Sequence, residues 1–242
     1  MSFRRPALVL AIMIAVSAAS LAQVPDPDPA RSGSPVPQIT FDLNFPGATP
    51  AHYAIVVEST GQASYRSDNG SATGDQQPYT TEFTMSDGVK QQVFDLARQA
   101  RYFQGDFEYH GGRIANTGAK TLSYSEGPQT SRLANPTNGK HFQTTFNYSQ
   151  NPAIQQITSI FQRIATTIEF GSRLAHEHRY DRMSLEGELK RLEELQKSHE
   201  VLEIQAIGPV LRDIANDAAI FNITRQRAIR LLKASGAEVA AK

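Results

Sequence analysis

The residues best suited to hold a metal are His176, Glu177 and His178, with Asp181 three positions on. Imidazole and carboxylate are ordinary zinc ligands. On a helix, residues two apart point to different sides, so His176 and His178 diverge. His178 and Asp181 share a face, but two ligands do not close a site. The His-Glu-x-x-His pattern of zinc proteases is absent. His176, His178 and Asp181 therefore read as a solvated helix end, and no metal or cofactor is expected.

Other short runs approach a catalytic pattern and fail at a named position. Tyr109-His110-Gly111-Gly112 has the outline of an esterase oxyanion loop. No Gly-x-Ser-x-Gly elbow supplies the nucleophile, so it reads as a glycine turn. Gly112 to Thr121 (GRIANTGAKT) has the outline of a phosphate loop. That motif needs glycine directly before lysine, and Ala119 intervenes. It reads as a loop leading into a strand that carries Lys120. Asp26, Asp28 and Asp42 miss the spacing of a calcium loop. The chain has 24 carboxylate side chains, so a glycosidase-type pair is possible, but spacing selects none. No Ser-x-x-Lys dyad occurs. No cysteine occurs either, which removes thiol catalysis, disulfides and thiolate metal sites. No catalytic residue is assigned.

Aromatic residues gather at Tyr102, Phe103, Phe107 and Tyr109, and again at Phe142, Phe146 and Tyr148. An exposed aromatic row suits sugar or peptide. Burial in a core is the commoner fate of such residues.

The elements that position these residues follow from periodicity. Residues 38–150 read as an α+β domain. Ala51 to Glu58 alternates, with Tyr53, Ile55 and Val57 on one face. Gly61 turns it back into Gln62 to Arg66. A polar loop over 67–77 leads to a third strand, Tyr79 to Met85. Ser86 or Asp87 caps a helix whose apolar stripe is Val89, Val93, Leu96, Ala97, Ala100 and Phe103, and Gly105 ends it. Lys120 to Tyr124, Ser131 to Ala134 and His141 to Phe146 read as three more strands, the last two joined through Asn138-Gly139.

Residues 151–242 read as a helical domain. Ile154, Ile157, Phe161, Ile164 and Ile168 form a heptad-like stripe. It continues to Ala175 and fails at His178 and Arg182. Ser184 caps a helix bearing Leu185, Leu189, Leu192 and Leu195. Gly208-Pro209 interrupts the chain before a stripe of Val210, Leu211, Ile214 and Ala218. Thr224 caps a last helix that ends near Gly236. The expected fold is α+β: an antiparallel sheet of about five to six strands with one packed helix, then a C-terminal bundle of about four helices.

Residues 50–126 resemble small uncharacterised domains of exported bacterial proteins. The runs that carry the resemblance are AIVVESTGQASYRS, FTMSDGVKQQVFDLARQARYF and KTLSYSEG. It implies an exported bacterial protein and carries no functional residue with it.

The N-terminus supports the same setting. Arg4 and Arg5 precede an uncharged run, Ala7 to Val16, and small residues end at Ala22. These are the parts of a signal peptide over residues 1–22. Residues 23–37 (including VPDPDPARSGSPVP) read as a Pro-rich disordered tether. Without Arg4 and Arg5 the chain has 22 basic and 24 acidic residues, a net charge of about −2. Nucleic-acid binding is not expected from that balance. The reading is an exported, disulfide-free protein of the bacterial periplasm or exterior, with no membrane span after cleavage. Its expected role is a non-enzymatic binding or interaction module that meets a protein partner or itself through apolar helix faces. One alternative is a hydrolase of an envelope polymer or ester, with carboxylates or His110, His176 and His178 as acid and base. A second is a small-ligand carrier.

Overall fold

Alternation of apolar and short polar residues makes each strand of this protein two-faced. A computed structural model describes residues 36–68, 78–126 and 140–236. The expected signal peptide, nearly all of the expected tether, most of the expected polar loop over 67–77, and the expected strand Ser131–Ala134 with its turn lie outside the described residues.

Six strands form one antiparallel sheet in the order β4-β3-β2-β1-β5-β6. They are β1 (Pro37–Asn44), β2 (His52–Glu58), β3 (Gln62–Asp68), β4 (Tyr79–Thr84), β5 (Ala119–Glu126) and β6 (His141–Phe146). The central strand β1 is the one whose limits the sequence reading did not define. It starts at Pro37, and proline is tolerated at the first residue of a strand. Ile39, Phe41 and Leu43 alternate inward and face Val57, Ile55 and Tyr53 of β2. The β2–β3 turn uses Gly61 at φ 97°, a left-handed conformation that glycine adopts freely.

One face of the sheet carries the core. Helix α1 (Asp87–Gln99) contributes Val93, Leu96 and Ala97 to it. Helix α2 (Pro152–Tyr180) contributes Ile154, Ile157, Phe161, Ile164 and Ile168, all fully buried. Phe161 stacks on Phe41 at 5.3 Å between ring centroids. Asn151 caps α2 by accepting from the amides of Ala153 and Ile154. The far half of α2 enters a second core with α3 (Leu185–Lys197), α4 (Gly208–Asn216) and α5 (Asn222–Ala234). Leu185, Leu189, Leu192, Leu211, Ile214, Leu231 and Leu232 are buried there, so the apolar helix stripes face one another. The described sheet and helices belong to one compact unit. The opposite sheet face is open and bears short polar residues such as Thr40, Ser64, Thr121 and Thr145.

Several helix boundaries differ from the periodicity reading. Helix α2 ends at Tyr180 with Asp181 as its C-cap, so His176, His178 and Asp181 lie at the expected helix end although the apolar stripe stops before it. Gly208-Pro209 opens α4, where proline suits the first turn. Ala218 lies beyond that helix in an exposed turn. Helix α5 begins at Asn222, and Thr224 is buried inside it rather than capping it. Buried Ile220 sets the entry: its amide bonds to Asp217, and the helix starts two residues later.

Ser86 and Ser184 occupy N-cap positions, but neither hydroxyl bonds to its helix. Ser86 instead gives both its amide and its hydroxyl to the carboxylate of Glu203, at 2.7 and 2.6 Å. Ser184 donates to Asp181 at 2.7 Å. Glu203 is buried, left-handed at φ 59°, and precedes the turn Ile204–Ile207. A carboxylate from the helical part therefore caps α1, where negative charge complements the helix dipole.

Candidate functional site

Residues 104–118 run between α1 and β5 without regular structure. A loop of that length inside a compact unit is uncommon, and such loops are usually either functional or linkers. Its launch is unusual. Arg101, Tyr102 and Phe103 all have left-handed backbones, with φ of 52, 54 and 68°. Each such non-glycine residue costs about 1–2 kcal/mol. Aromatic packing holds the turn: Phe103 is fully buried, and the Tyr102 ring lies 4.4 Å from that of Tyr124. Burial, then the bond and charge of Glu126, push Tyr124 up to about 12.

Lys120 anchors the far end of the loop. In the β5 register it lies opposite Phe146 and Leu43, among core positions, and is 5 % exposed. A charge placed there requires partners. Its Nζ donates to Thr117 O (3.1 Å), Thr117 Oγ1 (2.8 Å), Gly118 O (3.1 Å) and Asn147 O (2.7 Å). Burial pulls Lys120 below the usual lysine range, and the nearby Glu108 carboxylate opposes that pull. With its three protons engaged by oxygens, this ammonium is a pin rather than a nucleophile.

Asn147 is the second anchor. Its Oδ1 accepts from the Thr117 amide at 2.7 Å, and its Nδ2 donates to Ala115 O at 3.0 Å. Its own amide donates to Glu108 Oε2 at 2.5 Å. Tyr109 N donates to Tyr148 O at 2.9 Å, and the two rings meet edge to face at 5.8 Å. Asp106 turns the loop start by accepting from Glu108 N at 2.9 Å, and its other oxygen pairs with His110 Nε2, also at 2.9 Å. That bond first, and then the Asp106 charge, raises His110 above the ordinary imidazole range. The Tyr109 ring folds over Gly111 so closely that a Cβ there would collide with it. The outcome is a loop anchored at both ends, whose residues His110 to Thr117 are exposed, Ile114 among them.

The expected aromatic groups divide along this line. Phe103 and Phe146 are core, and Tyr102, Phe107 and Phe142 pack against it. Tyr109 and Tyr148 come together at the loop. The expected loop before Lys120 is present, and Lys120 turns out to hold it. The signal was legible: Lys120, Leu122 and Tyr124 alternate, so the lysine falls in the core register. Nothing in the spacing pointed to Asn147, which follows the last strand.

The other candidate residues lie elsewhere. The His176 ring packs tilted against that of Tyr180, with centroids 4.9 Å apart. His178 Nε2 pairs with Asp217 Oδ2 at 2.9 Å, away from Asp181, which follows α2 and accepts from Ser184. The three are not brought together, and no cluster of metal-ligating side chains is found among the described residues. His110 has its own partner on the loop, so the three histidines do not form one constellation.

Two further polar groupings occur. On the open sheet face His52 bridges Asp42 (2.8 Å) and Asp68 (3.0 Å). Burial opposes its charge, but the bonds to Asp42 and Asp68 prevail and hold His52 above the ordinary imidazole range. Between sheet and α2, Glu169 accepts from Tyr65 Oη and from Ser67 Oγ. Burial first, and Glu169 second, raise Tyr65 far above the usual phenol range. Two open depressions, of about 390 and 310 Å³, lie along glutamines of α1 and on the open sheet face by Glu58 and Glu82.

Neither a protein-family model nor a curated protein sequence matches this chain. No helix among the described residues is long and apolar enough to cross a membrane.

Proposed function

We propose that this is an exported, non-enzymatic binding module of the bacterial envelope, acting in the periplasm or outside the cell. The loop 104–118 is its contact surface and a protein is its partner. One observation carries the reading: buried Lys120 and the Asn147 hub tie both ends of an exposed loop to the last two strands. Fixing a surface segment in advance reduces the ordering cost of association. Its exposed Arg113 and Ile114, and Tyr109 packed on Tyr148, include residue types enriched at interface centres. The signal-peptide pattern of residues 1–22 supports the location.

Site-specific photo-crosslinking in cells exporting the full chain tests this. A crosslinking residue replaces Ile114, and a control replaces exposed Gln143 on the open sheet face. The reading predicts an adduct of one defined mass at position 114 only. Absence of an adduct overturns it. Turnover of ester or glycan substrates that is lost in His110→Ala would favour a hydrolase instead.

A further inference from the structure

Strand β4 ends the sheet on the side away from the loop 104–118, whose anchors adjoin β5 and β6. Its outer edge is open. Met85 N donates to Gly61 O at 2.9 Å, which fixes the phase of the β3–β4 ladder. Tyr79, Thr81 and Phe83 therefore turn their amides and carbonyls toward β3, and those of Thr80, Glu82 and Thr84 point outward. The outward groups have no hydrogen-bond partner among the described residues. On the core side Tyr79 and Thr81 are half-buried, although Ser67 and Tyr65 opposite them are buried. That exposure marks an edge which no described element covers. Such edges are usually blunted by proline, lysine or a bulge. The run Tyr79 to Thr84 has none of these and carries one charge, Glu82.

We infer that the β4 edge takes up an extended segment of a partner protein as an added antiparallel strand, with a lysine or arginine opposite Glu82. The backbone selects the conformation. Outward donors and acceptors on alternate residues match an extended chain, and main-chain bonds of this kind supply the affinity in strand addition. Charge selects the side chain. On the open face of β1 to β4, Asp42, Glu58, Asp68 and Glu82 stand against Arg66 and His52, so that face stays acidic even with His52 protonated. Glu82 is exposed and has no ion-pair partner among the described residues. Arg66 lies opposite Thr80, and Lys90, near Gly61, is paired with Asp87 at 2.6 Å. Glu82 also borders the depression of about 310 Å³ over Val56 and Ser64, which leaves room for a long basic side chain. A second copy of the chain fits less well. In the register that pairs β4 with itself along its full length, Thr80 meets Thr84 and Glu82 meets Glu82, and like charges directly opposite destabilise a sheet.

Amide exchange on the full chain, followed by nuclear magnetic resonance, tests this with two capped peptides. One is Ser-Thr-Val-Lys-Val-Thr-Ser, and the other has glutamate in place of its lysine. The lysine peptide should slow exchange at Thr80, Glu82 and Thr84, because only a backbone bond protects those outward amides. It should bind about fivefold more tightly than the glutamate peptide, the scale of a cross-strand charge pair. Glu82→Lys should reverse that preference. Thr80→Pro removes an outward donor and leaves the ladder to β3 intact, so it should abolish the protection at Glu82 and Thr84. Both substitutions are at exposed positions, and a circular-dichroism melt confirms that each variant folds. No slowing with either peptide overturns the proposal, as does a preference that Glu82→Lys leaves unchanged. Slowing without peptide that grows with protein concentration also overturns it, and assigns the edge to a second copy of the chain.

Discussion

Lys120 shows how one residue ties core to surface. Its stem lies in the β5 core register, and its ammonium gathers three backbone carbonyls from the loop and from Asn147. Lys120→Met would keep the apolar stem and leave those oxygens without a donor. An unsatisfied buried polar group costs about 1–3 kcal/mol. The variant should lose stability in that range by denaturant titration, with faster amide exchange across residues 104–118. An unchanged exchange pattern would show that the loop does not need the pin. His52 is one residue whose charge responds to pH. Its pKa is raised in the folded chain, so its stabilisation is full below the unfolded value of about 6.5. That stabilisation fades as pH rises through the higher folded value. Proton-detected titration should place His52 above about 6.5, and Asp42→Asn should bring it down. A folded value at or below 6.5 would contradict the pairing with Asp42 and Asp68.

At the scale of elements, the join between sheet and helices rests on Glu203 and on α2. Glu203→Ala would strip the amide of Ser86, at the start of α1, of its acceptor. The loss should be about 1–3 kcal/mol, and Ser86→Ala, which keeps the amide bond, should lose less. Equal losses would show that the hydroxyl carries the cap. The helices were legible because their apolar stripes are regular: Ile154 to Ile168 steps by three and four, and every member is buried. Their ends were less legible. The sequence offers Ser86 or Asp87 as the start of α1; Ser86 takes the cap position, and its partner lies 117 residues away. Periodicity registers spacing within a helix and is blind to a cap supplied from another part of the chain. Helix α2 outran its stripe for a similar reason, because His178 gains a partner on a distant turn. Gly171 records the close approach of α2 to the turn Ile204–Ile207, where a Cβ would collide with Ile207.

Taken whole, the described residues form a six-stranded antiparallel sheet with helices on one face, continued by a helical part sharing α2. That α+β plan was legible from the change of period near residue 150. The central strand β1 was less so, because its alternation begins at a proline directly after a Pro-rich run. The proposed site was half legible: the loop and Lys120 stood out, but Asn147 joins them only through the pairing of β5 with β6. The account's central claim is that this loop, fixed from within, is where a partner protein docks. The direct measurement is crosslinking from position 114 in cells exporting the full chain, in wild-type background and with Lys120→Met. The account predicts one adduct of defined mass that weakens when the pin is removed and is absent from position 143. Equal adducts from 114 and 143, or none from either, would contradict it.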